Sequence, residues 1–174
     1  MSDIQNIKRV CSFSVSNWHL VTMLTPYLNE AINQNEEIYT FFETNMEIII
    51  REFLMKLTLN VDSKQKLYEL NWKNSKGYKY SYIETVLKDM PDKDITIIVA
   101  GQKEYIDKIN EKLFKFIKKN KIKNKIKIVS CYEVMQFNNN ISEILEKNDK
   151  VLNTSGEKDI AEVFDGYADK KEIC

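Results

Sequence analysis

The sequence predicts an α/β fold, a three-layer sandwich with a mostly parallel, roughly five-stranded sheet and helices on both faces. Three observations lead there. Short β-branched or aromatic runs alternate with longer amphipathic stretches, polar residues able to cap a helix stand between several of these pairs, and no Pro- or Ser-rich linker divides the chain. With 174 residues and 43% apolar content, the chain has the size of one domain and buries a core without covalent staples. The expected domain covers residues 1–167, and the charged stretch 168–174 is expected to fray.

Residues 7–15 are β-branched and aromatic, alternate toward their end, and read as a strand. Ser16 and Asn17 can cap a helix over 19–33, which carries Leu20, Met23, Leu24, Tyr27, Leu28, Ala31 and Ile32 on one face. Pro26 within it implies either a kink or a later helix start. A second strand is expected over 37–42, with Thr44 and Asn45 as caps for a helix over 46–57. The stretch 59–66 reads as a polar connection, 67–72 as a third strand, 73–77 as a turn and 80–90 as a helix. After the turn signal at Pro91, the nearly continuous β-branched run 95–100 reads as the central strand, covered on both faces and ended by Gly101. A helix over 103–119, a strand over 126–132 and a helix over 141–150, capped from Asn138, Asn139 or Asn140, complete five strand-helix units. Residues 153–159 read as a turn, in which Thr154 with Glu157 fits a capping box and the polar side chains could instead donate to an anion, and 160–167 as a short apolar piece.

Composition removes several classes of function. Cys11, Cys131 and Cys174 are an odd, scattered set without metal-ligand spacing, which argues against a disulfide framework and against zinc and points to a reducing compartment. The first residues lack the pattern of a signal peptide, and the longest apolar run, 97–100, is far too short to span a bilayer. A cytoplasmic protein is the expectation. The 26 basic and 26 acidic residues balance, so a nucleic-acid partner is disfavoured. The lysines at 115, 118, 119, 121, 123, 125 and 127 read as a solvated face.

In open parallel sheets, ligands bind outside the carboxyl ends of the strands. This rule nominates Ser16, Asn17 and His19 after the first strand, Glu43 and Asn45 after the second, and Trp72 and Lys73 after the third. It adds Gly101 and Gln102 after the fourth and Tyr132 after the fifth. No phosphate loop and no dinucleotide fingerprint is present, and Ser16-Asn17-Trp18-His19 holds no glycine, so neither cofactor nor metal is expected. A catalytic reading has to use His19, the only histidine, or Cys131 with Glu43 or Glu133. Against it, a strand cysteine ordinarily serves as a small hydrophobe, and carboxylates at strand ends ordinarily serve as solvated caps. Trp72, Lys73 and the segment 78–82 are the best candidates for a stacking pocket.

The segment from Met23 to Tyr39, with Pro26-Tyr27 on a helix and then a polar turn with Glu36 leading into the second strand, resembles the DcmR-type sensory (MEDS) domain. That family is a relative of RecA-like folds lacking the ATP-binding loop, and the likeness covers about forty residues. It implies signal sensing or regulatory interaction instead of turnover. The expected function is therefore a noncatalytic regulatory or sensory domain binding a small ligand or protein partner at the strand carboxyl ends. The alternatives are a small-metabolite transferase or hydrolase using His19 or Cys131, and a homodimeric interaction protein presenting Phe41-Phe42 and Tyr78 to Tyr82.

Overall fold

The computed structural model describes residues 6–75, 79–134 and 141–164. The expected turn at Gly77, Tyr78, the caps at Asn138 to Asn140 and the tail with Cys174 lie outside them. The chain is an α/β sandwich whose elements run β1 (Ile7–Ser14), α1 (Asn17–Asn33), β2 (Glu37–Phe42), α2 (Glu47–Lys56), α3 (Val61–Tyr68) and α4 (Tyr80–Leu87). They continue with β3 (Ile95–Gly101), α5 (Lys103–Lys119), β4 (Ile126–Glu133), α6 (Ile141–Glu146), β5 (Lys150–Asn153), β6 (Gly156–Asp159) and α7 (Ile160–Val163). The six-stranded sheet has the order β2-β3-β4-β1-β5-β6. Among the described residues, its strand pairings are parallel except that of β5 with β6, an antiparallel hairpin.

The sheet divides two apolar layers. Val10, Phe42, Ile98, Ala100, Val129, Cys131 and Leu152 face α1, α2 and α3, meeting Leu20, Leu24, Leu28, Ile50, Leu54 and Leu67. Cys11, Phe41, Ile95, Ile97, Val99 and Ile128 face the other way, onto Ile83, Ile106, Ile109, Leu113, Ile144 and Ile160. Alternation along each strand therefore supplies both layers, as the side-chain period of two requires. β3 is buried along its whole length, as its β-branched run predicts, but it is not the middle strand. β4 and β1 occupy the middle, because the chain crosses from β1 to the far edge before filling inward.

Three local expectations are corrected. The stretch 67–72 is not a strand: Asn60 caps α3, its Oδ1 accepting the Ser63 N–H at 2.7 Å, and Leu67 is the residue this helix buries. The chain then runs as a strap that touches the sheet through a parallel bridge between Phe42 and Asn74. Helix α6 stops at Glu146, and Lys150 starts a strand instead of ending a helix. The segment around 153–159 is the turn and second arm of the β5–β6 hairpin, where Glu157 is a strand residue and not the acid of a capping box. α1 runs through Pro26, which is exposed, so the carbonyl left without its N–H partner lies near water.

Candidate functional site

β1 and β4 are neighbours, yet β1 leads into α1 on one face of the sheet while β4 leads toward α6 on the other. This is the switch point, and Ser14 and Glu133 are register partners at its mouth. The side chains around it are committed to the protein's own backbone. Ser16 Oγ caps α1 by accepting the His19 N–H at 3.1 Å, and His19 Nδ1 accepts the Val15 N–H at 3.2 Å. The imidazole thus folds back over the loop and occupies a donor that a phosphate loop would offer to a ligand.

The other carboxyl-end candidates are spent in the same way. Glu43 Oε1 accepts the Gln102 N–H at 2.8 Å, tying the end of β2 to the start of α5. That bond needs Gly101, since a Cβ there would stand 2.6 Å from Glu43 Oε1 and 2.7 Å from Glu43 Cβ. Asn45 Oδ1 accepts the Glu47 N–H at 2.9 Å at the start of α2. Trp72, nominated for a ligand, is a core residue: it stacks on Phe42 with centroids 5.3 Å apart and donates from Nε1 to the Leu67 carbonyl at 2.8 Å. Its ring faces are filled by the protein because α3 and the strap close over the end of β2. Lys73 is exposed, with its N–H on Asn71 Oδ1. Tyr132 is buried beside Phe13, and burial pushes its hydroxyl pKa up.

No hydrogen bond among the described residues joins His19 to Cys131, Glu43 or Glu133. Cys131 lies in the apolar layer, and burial pushes its thiol up to about 12, as it does for Cys11. A thiol held protonated in this way is a poor nucleophile at neutral pH. Phe41 and Phe42 are both buried, at 0% and 1% exposure, so the aromatic pair offers no surface to a partner. Among the described residues, no group of three His, Cys, Asp or Glu side chains is placed to hold a metal ion, and no helix is long and apolar enough to cross a membrane.

Charge and concavity converge elsewhere. A groove of about 470 Å³ runs between α1 and the β5–β6 hairpin, with Met23, Pro26, Tyr27, Ala31 and Leu152 among its apolar walls. At its floor, Glu157 gathers donors from three elements. Tyr27 on α1 donates its hydroxyl to Oε2 at 2.6 Å, Lys8 on β1 is bonded to Oε1, and Lys127 on β4 stands 3.4 Å from Oε2. Burial alone would raise the Glu157 pKa, but Lys8, Tyr27 and Lys127 together hold it below the ordinary value. Burial and the adjacent carboxylate push the Tyr27 hydroxyl upward, so it remains a donor. Lys127 also lies 5.0 Å above the Tyr27 ring, within cation–π range.

A second hollow, about 630 Å³, opens at the amino ends of β1, β3 and β4 and shares Gln34, Glu36 and Lys127 with the groove. Asn6 and Asn124 knit that end together: Asn6 Nδ2 donates to the Asn124 carbonyl at 2.6 Å, and Asn124 Nδ2 donates to the carbonyls of Pro91 and Lys93 at 2.8 Å each. The sequence gives no sign that Tyr27, Glu36, Lys127 and Glu157 come together, because they sit far apart in the chain, although the turn holding Glu157 reads as a possible anion donor. The one available signal was an apolar pair, Val151-Leu152, followed by the polar turn Asn153 to Gly156, which marks a hairpin. The fold and groove define an α/β domain with a concave site on one sheet face. The chain matches no protein-family model and no curated protein.

Proposed function

We propose that this chain is a noncatalytic regulatory or sensory domain that binds a small ligand in the groove between α1 and the β5–β6 hairpin. One observation carries the reading: the groove combines apolar walls with a few convergent polar groups, the ordinary composition of a small-molecule site, at a volume of about 470 Å³. The spent polar groups at the strand carboxyl ends support moving the ligand away from the switch point. The buried, high-pKa thiol at Cys131 and the self-bonded His19 support binding over turnover. The resemblance of Met23 to Tyr39 to a RecA-like, loop-less sensory domain points toward the same reading.

The test is a thermal-shift screen against common metabolites, followed by amide chemical-shift mapping of whatever stabilises the chain. A ligand of the groove moves the amides of Ala31, Gln34 and Gly156. A stabilising ligand that instead moves Val15 to His19 and Gly101 to Lys103 places the site at the carboxyl ends and overturns this reading. Conversion of the ligand on standing with the protein overturns its noncatalytic part.

A further inference from the structure

We infer that the groove recognises a small zwitterion with an apolar side chain, of the kind an apolar α-amino acid presents. The inference rests on the groove reading above and concerns the chemistry of its occupant. The groove and the amino-end hollow meet at Gln34, Glu36 and Lys127, so one carboxylate, one ammonium and one amide stand where the two spaces join.

Lys127 pairs with Glu157 and Glu36 accepts from Thr96, and each keeps capacity for a further partner. Glu157 is a single carboxylate shared by two ammonium groups, and its Oε1 and Oε2 already serve Lys8 and Tyr27, which leaves Lys127 a longer contact at 3.4 Å and one positive charge in excess. Glu36 accepts the Thr96 hydroxyl through Oε1 at 2.5 Å, which leaves Oε2 able to accept from a ligand, and among the described residues no ion pair joins Glu36 to Lys127. Thr96 and Lys127 are register partners on β3 and β4, which puts the Glu36 clamp and the Lys127 stem roughly one strand spacing, ~4.8 Å, apart on the same face. A half-buried excess charge of each sign is more strongly satisfied by an ion than by water. A ligand ammonium fits Glu36 and a ligand carboxylate fits Lys127, with the side chain lying against Met23, Pro26 and Leu152.

The test uses four probes that share one isobutyl side chain on the full chain: L-leucine, its amine 3-methylbutylamine, the acid 4-methylpentanoate and the neutral 4-methylpentanamide. Calorimetric titration and amide mapping are expected to show L-leucine in the groove, with each of the other three at least tenfold weaker. Glu36→Gln, which can still accept from Thr96, should erase leucine's advantage over the acid, and Lys127→Gln its advantage over the amine, a pattern that a loss of folding does not produce. Equal binding of leucine and the amide with the groove amides moving overturns the zwitterion and leaves the groove standing. No response to leucine, with other metabolites moving the groove amides, has the same meaning. Groove amides unmoved by leucine and by the whole metabolite set overturn both.

Discussion

Two regions of this molecule handle polar side chains in opposite ways. At the carboxyl ends, Ser16, His19, Glu43 and Asn45 are each bonded to a backbone N–H within their own loops or the adjoining corner, and the result is closed and neutral in its demands. In the groove on the α1 face, Glu157 draws ammonium groups from β1 and β4 and a hydroxyl from α1, and the two ammonium groups compete for one carboxylate. Caps that satisfy local backbone stabilise a corner but leave nothing over for a ligand. Charges brought together by tertiary structure do not balance one by one, and the remainder is what a ligand can read. The difference teaches that the usual site of this architecture can be occupied by the protein's own side chains while another face acquires recognition groups.

The largest expected effect concerns the carboxyl end. Because Cys131 and Cys11 are buried with thiols raised to about 12, a thiol reagent at pH 8 should reach them only through opening of the fold. Their modification should be slowed by about a thousandfold or more relative to the unfolded chain, as a stability of ~5 kcal/mol or greater implies. Rapid modification of Cys131 in the folded protein would reopen the nucleophile reading and break the contrast. Next, Trp72→Ala should cost about 3–5 kcal/mol in urea unfolding, through a cavity against Phe42 and the loss of the indole N–H bond to the Leu67 carbonyl. A cost below about 1 kcal/mol would mean the indole is a surface for something else.

Gly101→Ala should cost about 1–3 kcal/mol, since the new methyl must displace Glu43 from Gln102. Glu157→Gln should cost about 1.5 kcal/mol at neutral pH, because Lys8 and Lys127 lose their counter-charge. Its pH dependence has a definite sign. The folded pKa of Glu157 lies below the ordinary value, so its contribution is fully present above the unfolded carboxyl value of about 4.3 and fades as pH falls through the folded one. Wild type and Glu157→Gln should therefore converge in stability on acidification, and a gap that widens would refute the clasp. The smallest effect is that of His19→Ala, about 1 kcal/mol or less, from the loss of one acceptor for Val15. Its binding affinity for a groove ligand should be unchanged.

Much of the fold is legible from residue order because it depends on local pattern. The run Ile95 to Gly101 is a strand whatever surrounds it, and the three- and four-residue spacing of Tyr105, Ile106, Ile109, Leu113 and Phe116 makes α5 a helix with its bounds as expected. The capping of α1 by Ser16 is a local event too. Where local signals are short, context decides. Leu67 to Trp72 reads as a strand by its residues, but Asn60 starts a helix that takes in Leu67, and the chain meets the free edge of β2 only at Asn74. Lys150 to Asp159 is too brief for its pattern to specify two strands, and it becomes a hairpin because β1 offers Val10 to Ser12 as a free edge.

By itself, then, the sequence determined an α/β domain with alternating strands and helices, an all-buried β3 and capped corners at the carboxyl ends, since each depends on interactions within about one turn or one strand. Only the tertiary structure decided strand order, the burial of Trp72 and the meeting of Tyr27, Glu36, Lys127 and Glu157. Those outcomes depend on contacts between residues far apart in the chain, 130 positions in the Tyr27 bond to Glu157, and no local periodicity encodes such a distance.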